Sequence, residues 1–162
     1  MANHAMSNHS VQPLYTQEQR ERRDQTYWTT VQGVLAPLQF VVFLVSLALV
    51  VNYLISGSGY HAATVSIVLK TFVLYLIMVT GAIWEKVVFG QYLLAPAFFW
   101  EDVFSFLVIA LHTAYLLTLS MGWLDSEQLI ALALAAYATY VVNAGQFLFK
   151  LRRARLETAD SA

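Results

Sequence analysis

The chain has 162 residues, of which 59% are hydrophobic and only 12% are charged, and it contains no cysteine. A charged share of about half that of a soluble domain excludes an ordinary water-soluble enzyme and a disordered chain. The lack of cysteine excludes disulfide frameworks and thiolate metal sites, and the net charge of −1 provides no basic field for nucleic acid. The composition therefore predicts a small all-α membrane protein with no nucleic-acid partner.

The N-terminal region divides into two predicted segments. Residues 1–13 are polar and are predicted to be a disordered tail, and no signal peptide is visible because the start lacks an apolar stretch. Residues 14–28 mix charges with apolar and aromatic side chains, among them Tyr15, Tyr27 and Trp28. This mixture predicts a short helix in the membrane interface with its aromatic rings at headgroup level.

Mainly apolar stretches mark four candidate membrane spans, and the second of them must tolerate Lys70. Each stretch has roughly the 20 mainly apolar residues that a spanning helix needs. The spans are predicted over residues 32–54, 62–84, 102–121 and 127–149. We therefore expect a polytopic bundle of four transmembrane helices as a single domain over residues 14–157, followed by a disordered tail over residues 158–162.

Lysine and arginine residues are concentrated on one side of these predicted spans. They occur in the N-terminal flank, in the connection between the second and third spans and in the C-terminal flank. The turns near residues 56–61 and 122–127 contain none. The positive-inside rule then places both termini of this multi-pass protein in the cytoplasm.

The connection over residues 84–102 begins and ends with tryptophan beside acidic residues and is apolar between them. A proline interrupts any helix there, which favours an interfacial or re-entrant segment folded back onto the helix ends. Such a fold would bring Glu85, Glu101 and Asp102 together, and a carboxylic acid that is still protonated near neutral pH can act as a general acid. In the alternative interpretation, Glu85 pairs with Lys86 and the other two acids cap the third spanning helix.

A polar stripe runs along the third predicted span. It consists of Glu101, Ser105 and His112, which share one face because about three helical turns separate the first from the last. A buried histidine could relay a proton, ligate the magnesium of a tetrapyrrole or form a hydrogen bond to a neighbouring helix. No metal site formed by the protein alone is expected, because no second ligand follows one turn after His112.

The other three predicted spans also carry polar residues on one face each. Four such faces predict a shared internal cavity for a ligand, and hydrogen bonds between helices are the alternative explanation. Lys70 in the second span is expected to find an acid, a carbonyl group or the water-facing edge. The remaining members are Gln32, Gln39, Ser46 and Tyr53 in the first span and Thr139, Asn143, Gln146 and Lys150 in the fourth.

Four stretches of the chain together resemble one known family. The stretches are WTTVQGVLAPLQFVVFLVSL, LIMVTGAIWEKVVFG, APAFFWEDVFS and LAAYATYVVNAGQFLFKLRRARLE. They resemble the vinyl hydratase family of bacteriochlorophyll biosynthesis, the 3-vinyl bacteriochlorophyllide hydratases (2-vinyl in older ring numbering). The resemblance covers residues 14–157 and is most specific from IWEKVVFG through FFWED.

This resemblance implies a hydro-lyase that adds water to the C3-vinyl group of chlorophyllide a or bacteriochlorophyllide a. The product carries a 1-hydroxyethyl group, which a later dehydrogenase would convert to acetyl. No cofactor is implied, since water is the co-substrate and the magnesium belongs to the substrate. The resemblance further implies a bacterial inner membrane, with the pigment and the lipid bilayer as partners and other pigment-biosynthesis enzymes as further candidates.

The implied reaction can be matched to residues. The hydroxyl group is on the carbon next to the macrocycle, so the terminal vinyl carbon takes a proton and water attacks the inner carbon. We expect Glu101 or Glu85 to be the acid and Asp102 to polarise the water or orient that acid, while His112 would ligate the magnesium or relay the proton. The residues expected to contact the pigment or the water are Gln39, Trp84, Trp100, Asn143 and Gln146.

Two other function classes use the same residues. A non-catalytic membrane subunit that binds a pigment or a quinone would have the same polar faces but would form no product. A transporter or channel would need a continuous polar path across the membrane. The ionisable groups instead concentrate at one side of the predicted bundle, and only Lys70 and His112 are deeper. This distribution favours a protein that handles a largely apolar ligand.

Overall fold

The computed structural model describes the backbone of residues 14–159 and the side chains of residues 14–156. This part of the chain forms five α-helices and no strand. The helices are α1 (Gln17–Gln25), α2 (Tyr27–Ser56), α3 (Tyr60–Phe89), α4 (Phe99–Met121) and α5 (Ser126–Ala159). Helix α5 continues two residues into the predicted C-terminal tail, and the rest of both predicted tails lies outside the described residues.

Helices α2 to α5 are long and apolar enough to cross a membrane, which makes the chain a multi-pass membrane protein. They confirm the four predicted spans but are longer than predicted. With 30 residues each, α2 and α3 are about 45 Å long and exceed the roughly 30 Å of a bilayer's hydrocarbon core. The predicted spans were shorter than the helices because the prediction followed only the apolar stretches, whereas the helices continue beyond them.

The four spanning helices form two antiparallel hairpins, α2 with α3 and α4 with α5. Within the first hairpin the hydroxyl groups of Ser46 and Ser66 are 2.7 Å apart. The hairpins meet at the ring of Phe43 on α2, whose centroid is 5.3 Å from that of Tyr137 and 4.9 Å from that of Tyr140, both on α5. We name the end of the bundle where α2 and α4 begin, and where α3 and α5 end, the terminal side.

The turn between α2 and α3 is built on two glycine residues. Gly57 ends α2 with φ of 68°, and Gly59 precedes α3 with φ of 87°. These left-handed conformations carry no steric penalty for glycine because it lacks a Cβ atom. Two of them in close succession let the chain reverse within three residues, so α3 can pack along the whole length of α2.

The N-terminal helix differs from the prediction in its position and its contacts. Helix α1 starts with a capping box and ends before Thr26, so that Tyr27 and Trp28 belong to α2. Tyr15 is buried, and its ring is stacked on that of Phe89 at 5.7 Å. The Tyr15 ring thus covers the end of α3, and its position at headgroup level stays a prediction.

The connection between the second and third spans is shorter than predicted. Only residues 90–98 lie outside the helices. Trp84 and Glu85 belong to the last turns of α3, and Glu101 and Asp102 belong to the first turn of α4. The connection does fold back onto the helix ends, with two of its side chains buried there. Its acidic neighbours are thus held by helices rather than by a loop.

Side chains pack closely in the centre of the described bundle. Its core includes several residues that are fully buried, among them Val50, Ala63, Ile67 and Val108. One cleft of about 390 Å³ lies between α2 and α3, and one of about 510 Å³ lies beside α1. Hydrogen bonds between helices, the alternative explanation of the polar faces, do join several of the polar side chains, and the shared cavity stays a prediction.

Candidate active site

Two carboxyl groups meet on the terminal side, where α3 ends and α4 begins. Glu85 and Asp102 are close enough to interact directly, and they are only 5% and 3% exposed. Two carboxylates repel one another and have no hydrogen-bond donor between them, so this proximity is favourable when one of the two groups carries a proton. We name Glu85 and Asp102 the carboxyl pair.

The backbone of the connection over residues 90–98 covers the carboxyl pair. The N–H of Leu94 donates to Asp102 Oδ2 at 2.6 Å, and the N–H of Ala95 donates to Glu85 Oε2 at 3.3 Å. Leu94 has φ of 60°, a left-handed conformation that is uncommon for a leucine. This conformation directs two successive N–H groups towards acidic side chains, as in an anion-binding turn.

Aromatic rings pack together at the same end of the bundle. The ring of Trp84 makes edge contacts with Phe89 and Phe98, each at 5.7 Å, and its indole N–H donates to Thr29 Oγ1 at 2.9 Å. Burial raises the pKa of Tyr15, which belongs to the same cluster. The Tyr15 phenol therefore stays protonated at neutral pH.

Glu101 has different partners from those of the carboxyl pair. Its carboxylate forms an ion pair with Lys150 near the end of α5. Lys150 also donates to the carbonyl oxygen of Ala97, and its Nζ lies 5.2 Å from the centre of the Phe98 ring. A carboxylate in such an ion pair has no proton to give, so the carboxyl pair is the better candidate for an acid.

The structure does not have the arrangement of the alternative interpretation, in which Glu85 pairs with Lys86 and Asp102 caps α4. Lys86 donates to the carbonyl oxygen of Gly90 at 2.7 Å, while Glu85 faces Asp102. Asp102 accepts from the connection at Leu94 rather than from the N–H groups of its own helix. The acids thus link three segments of the chain at one point.

Asn143 of α5 fixes the first turn of α4. Its amide nitrogen donates to the carbonyl oxygen of Glu101 at 2.8 Å, and its amide oxygen accepts from Ser105 Oγ at 3.2 Å. All three side chains are buried. Asn143, which the sequence analysis expected to contact the pigment or the water, therefore positions the turn that carries Glu101 and Asp102.

We expect the Asn143→Leu variant to lose about 1–3 kcal/mol of unfolding free energy, because two hydrogen bonds between buried groups are lost. Chemical unfolding of the detergent-solubilised protein measures this loss. Thr139→Val on the same helix is the matched control, since the Thr139 hydroxyl donates to Ala136 of its own helix at 2.9 Å. A loss in Asn143→Leu no larger than that of the control would contradict the bridging role.

Lys70 and His112 meet at the centre of the bundle, and both are fully buried. The Nζ atom of Lys70 is 2.5 Å from Nε2 of His112, while Nδ1 of His112 is 2.7 Å from the carbonyl oxygen of Val108. A carbonyl oxygen only accepts, so Nδ1 carries the proton and Nε2 accepts from Lys70. The rings within 6.0 Å of the Lys70 Nζ atom are those of Phe43, Tyr137 and Tyr140.

This centre differs from what the sequence analysis expected of Lys70. Its partners are an imidazole and three aromatic faces, not an acid, a carbonyl group or the water-facing edge. His112 makes the hydrogen bond between helices that was one of its possible roles. Because both of its ring nitrogens are engaged in hydrogen bonds, neither is open to a magnesium ion in this arrangement.

The remaining predicted contact residues are spread over the bundle. Trp100 is 68% exposed on the outside of α4. Gln39 is buried in α2 with neither amide atom bonded, and the amide oxygen of Gln146 is also buried without a partner in the described structure. The structure therefore brings Trp84 to the carboxyl pair, whereas Gln39 lies about 18 Å along α2 from its start at Tyr27.

Two contributors to the site were missed from the sequence. One is Tyr15, which is placed in contact with the end of α3 by the turn before α1. The other is the pair of backbone donors at Leu94 and Ala95. Side-chain patterns carry no signal for a backbone donor, but the charge-free, largely apolar run between Lys86 and Glu101 does indicate that a loop must pack closely there.

Comparison with known proteins relates the chain to one family. The family model described as 2-vinyl bacteriochlorophyllide hydratase matches residues 15–153. The chain is 69% identical over 153 residues to the 2-vinyl bacteriochlorophyllide hydratase of Rhodobacter capsulatus, covering 94% of this chain and 89% of that protein. It is 72% identical over 144 residues to the protein of the same name from Cereibacter sphaeroides, covering 89% of each. No solved structure matches the chain. The chain belongs to the 2-vinyl bacteriochlorophyllide hydratase family.

Proposed function

We propose that this chain is a membrane hydratase that adds water to the C3-vinyl group of chlorophyllide a or bacteriochlorophyllide a. The family gives the reaction, and the carboxyl pair is the structural observation that supports it. A hydration needs one group that gives a proton and one that takes a proton. Glu85 and Asp102 offer both at one place, beside an aromatic surface suited to a flat pigment.

The carboxyl pair would carry both proton transfers. The protonated member gives its proton to the terminal vinyl carbon, where the π electrons form the new C–H bond. The positive charge that develops on the inner carbon is shared with the macrocycle, and water attacks there. The proton that the water loses passes to the carboxylate member, so the pair again holds one proton. No electrons enter or leave, and we propose that the reaction uses no bound cofactor.

The hydrogen bonds support a division of roles within the pair. Asp102 receives the shorter contact, from the N–H of Leu94 at 2.6 Å, whereas Glu85 receives the N–H of Ala95 at 3.3 Å. A closer donor favours the negative charge on Asp102 and leaves the proton with Glu85. Glu101 would position this turn through its ion pair with Lys150. We assign Trp84 to the wall of the pigment site.

The finer placement of the protein belongs to the same proposal. Lysine and arginine residues lie on the terminal side, which supports a cytoplasmic location of both termini in a bacterial inner membrane. The exposed ring of Trp100 would meet the pigment as it arrives from the lipid. The unpaired amide oxygen of Gln146 would bind a water molecule. Transfer of the product to a further pigment enzyme would occur at the same side.

The direct test uses membranes from a host that makes no bacteriochlorophyll and that expresses the full chain. After addition of chlorophyllide a, we expect a product heavier by one water molecule, with a blue-shifted red absorption band, and without added nucleotide or reductant. Membranes of the same host without the chain are the control. If the folded protein binds the pigment but forms no product, it is a pigment carrier and the proposed reaction is refuted.

A further inference from the structure

A cleft of about 510 Å³ lies beside α1 on the terminal side, and we name it the α1 cleft. Its lining residues are Tyr15, Thr16, Gln17, Arg20, Glu21 and Asp24. Tyr15 belongs to the active site as well, since its ring stacks on Phe89 and it interacts electrostatically with Glu85. Tyr15 therefore lines the α1 cleft and is also within electrostatic range of Glu85.

Arg20 is the one basic residue that lines this cleft, and no described acid forms an ion pair with it. Its Nε atom is buried and has no hydrogen-bond partner in the described structure. The two acids of the cleft have other partners, because Asp24 forms an ion pair with Arg23 at 2.7 Å and Glu21 accepts from Gln17 at 3.3 Å. A buried donor without an acceptor is unfavourable. Arg20 is therefore a site for a ligand that brings its own acceptor.

A carboxylate is the ligand group that a guanidinium recognises best, because two parallel N–H donors match its two oxygens. A chlorophyllide carries a free propionate, which is esterified in the corresponding chlorophyll. The propionate and the vinyl group are on neighbouring rings of the macrocycle. A pigment that places its vinyl group at the carboxyl pair can therefore present its propionate to the adjacent α1 cleft.

We propose that Arg20 binds the free carboxylate of the pigment and so selects free-acid pigments over their esters. This inference rests on the proposed function, since it concerns the same substrate. The carboxylate would stay near the headgroups, where α1 lies, while the macrocycle contacts the aromatic surface. Arg20 would thus determine specificity and orientation, and the carboxyl pair would carry the chemistry.

The test compares chlorophyllide a with its methyl ester, two pigments that differ in this one charge. The full chain in lipid nanodiscs is titrated with each pigment, and Kd is read from the pigment absorption and fluorescence. We expect Arg20→Gln to raise the Kd of the free acid about tenfold or more, because one charge-assisted hydrogen bond is lost. The Kd of the ester should not change. The kcat for the bound pigment should change little.

Arg22→Gln is the matched control, because Arg22 lies on the same helix and pairs with Glu18. The Arg22→Gln variant should keep the preference for the free acid. The Arg20→Lys variant should keep part of this preference, which would show that the segment still folds. Equal weakening of both pigments in Arg20→Gln, or a wild-type protein without preference, would overturn the proposal. Since Kd requires no turnover, a chain that selects the free acid but does not hydrate it would refute only the proposed reaction.

Discussion

Glu85→Gln should reduce the kcat of vinyl hydration by about a hundredfold or more, because an amide cannot give an acidic proton to the vinyl carbon. Asp102→Asn should cause a loss of similar size, since the amide cannot take the proton that the attacking water loses. Both amides keep an oxygen that can accept from the N–H of Ala95 or Leu94. The variants should therefore fold, and product formation from chlorophyllide a measures the chemical loss.

Two other carboxyl groups provide controls for these variants. Glu127→Gln changes an exposed acid at the start of α5, on the opposite side of the bundle, and should leave kcat unchanged. Glu101→Gln weakens the ion pair with Lys150 and should cause a loss smaller than that of either member of the carboxyl pair. Unchanged turnover in both Glu85→Gln and Asp102→Asn would show that the acid lies elsewhere.

His112→Leu should lower the unfolding free energy by about 1–3 kcal/mol or more, because it leaves the Lys70 ammonium without an acceptor inside an apolar bundle. Lys70→Met combined with His112→Leu should recover much of this loss, since neither buried group is then left unpaired. Denaturant unfolding of the wild type, both single variants and the double variant gives the coupling free energy between the two positions. Purely additive losses would contradict the direct pairing.

The same double variant separates packing from chemistry at His112. Ten residues of α4 separate His112 from Asp102, which is about 15 Å along the helix axis. We therefore expect the folded double variant to hydrate chlorophyllide a at close to the wild-type rate. A stable double variant without activity would instead indicate that His112 takes part in catalysis, as a magnesium ligand or a proton relay.

The span pattern and the meeting of the acids could be predicted from the sequence, because both depend on properties of local stretches. Charge-free apolar runs define spanning helices, and acidic residues beside tryptophan at both ends of a short connection must come close when that connection folds back. The proximity of Glu85 and Asp102 follows from this alone.

The partners of individual side chains could not be predicted in the same way. Whether Lys70 contacts an acid or His112 depends on the rotation of α3 about its axis relative to α4. The sequence of a single helix does not determine this rotation. The burial of Tyr15 depends on the space left at the end of α3. The donors at Leu94 and Ala95 depend on a backbone conformation that a leucine rarely adopts.

The division into two hairpins has a consequence for how the protein assembles in the membrane. Lys70 and Glu85 belong to the first hairpin, and their partners His112 and Asp102 belong to the second. Each hairpin inserted alone would present an uncompensated ionisable group to lipid, which is costly. Only their association removes that cost, and the same association forms the carboxyl pair. The association that stabilises the bundle in the bilayer is thus the one that also forms the candidate active site.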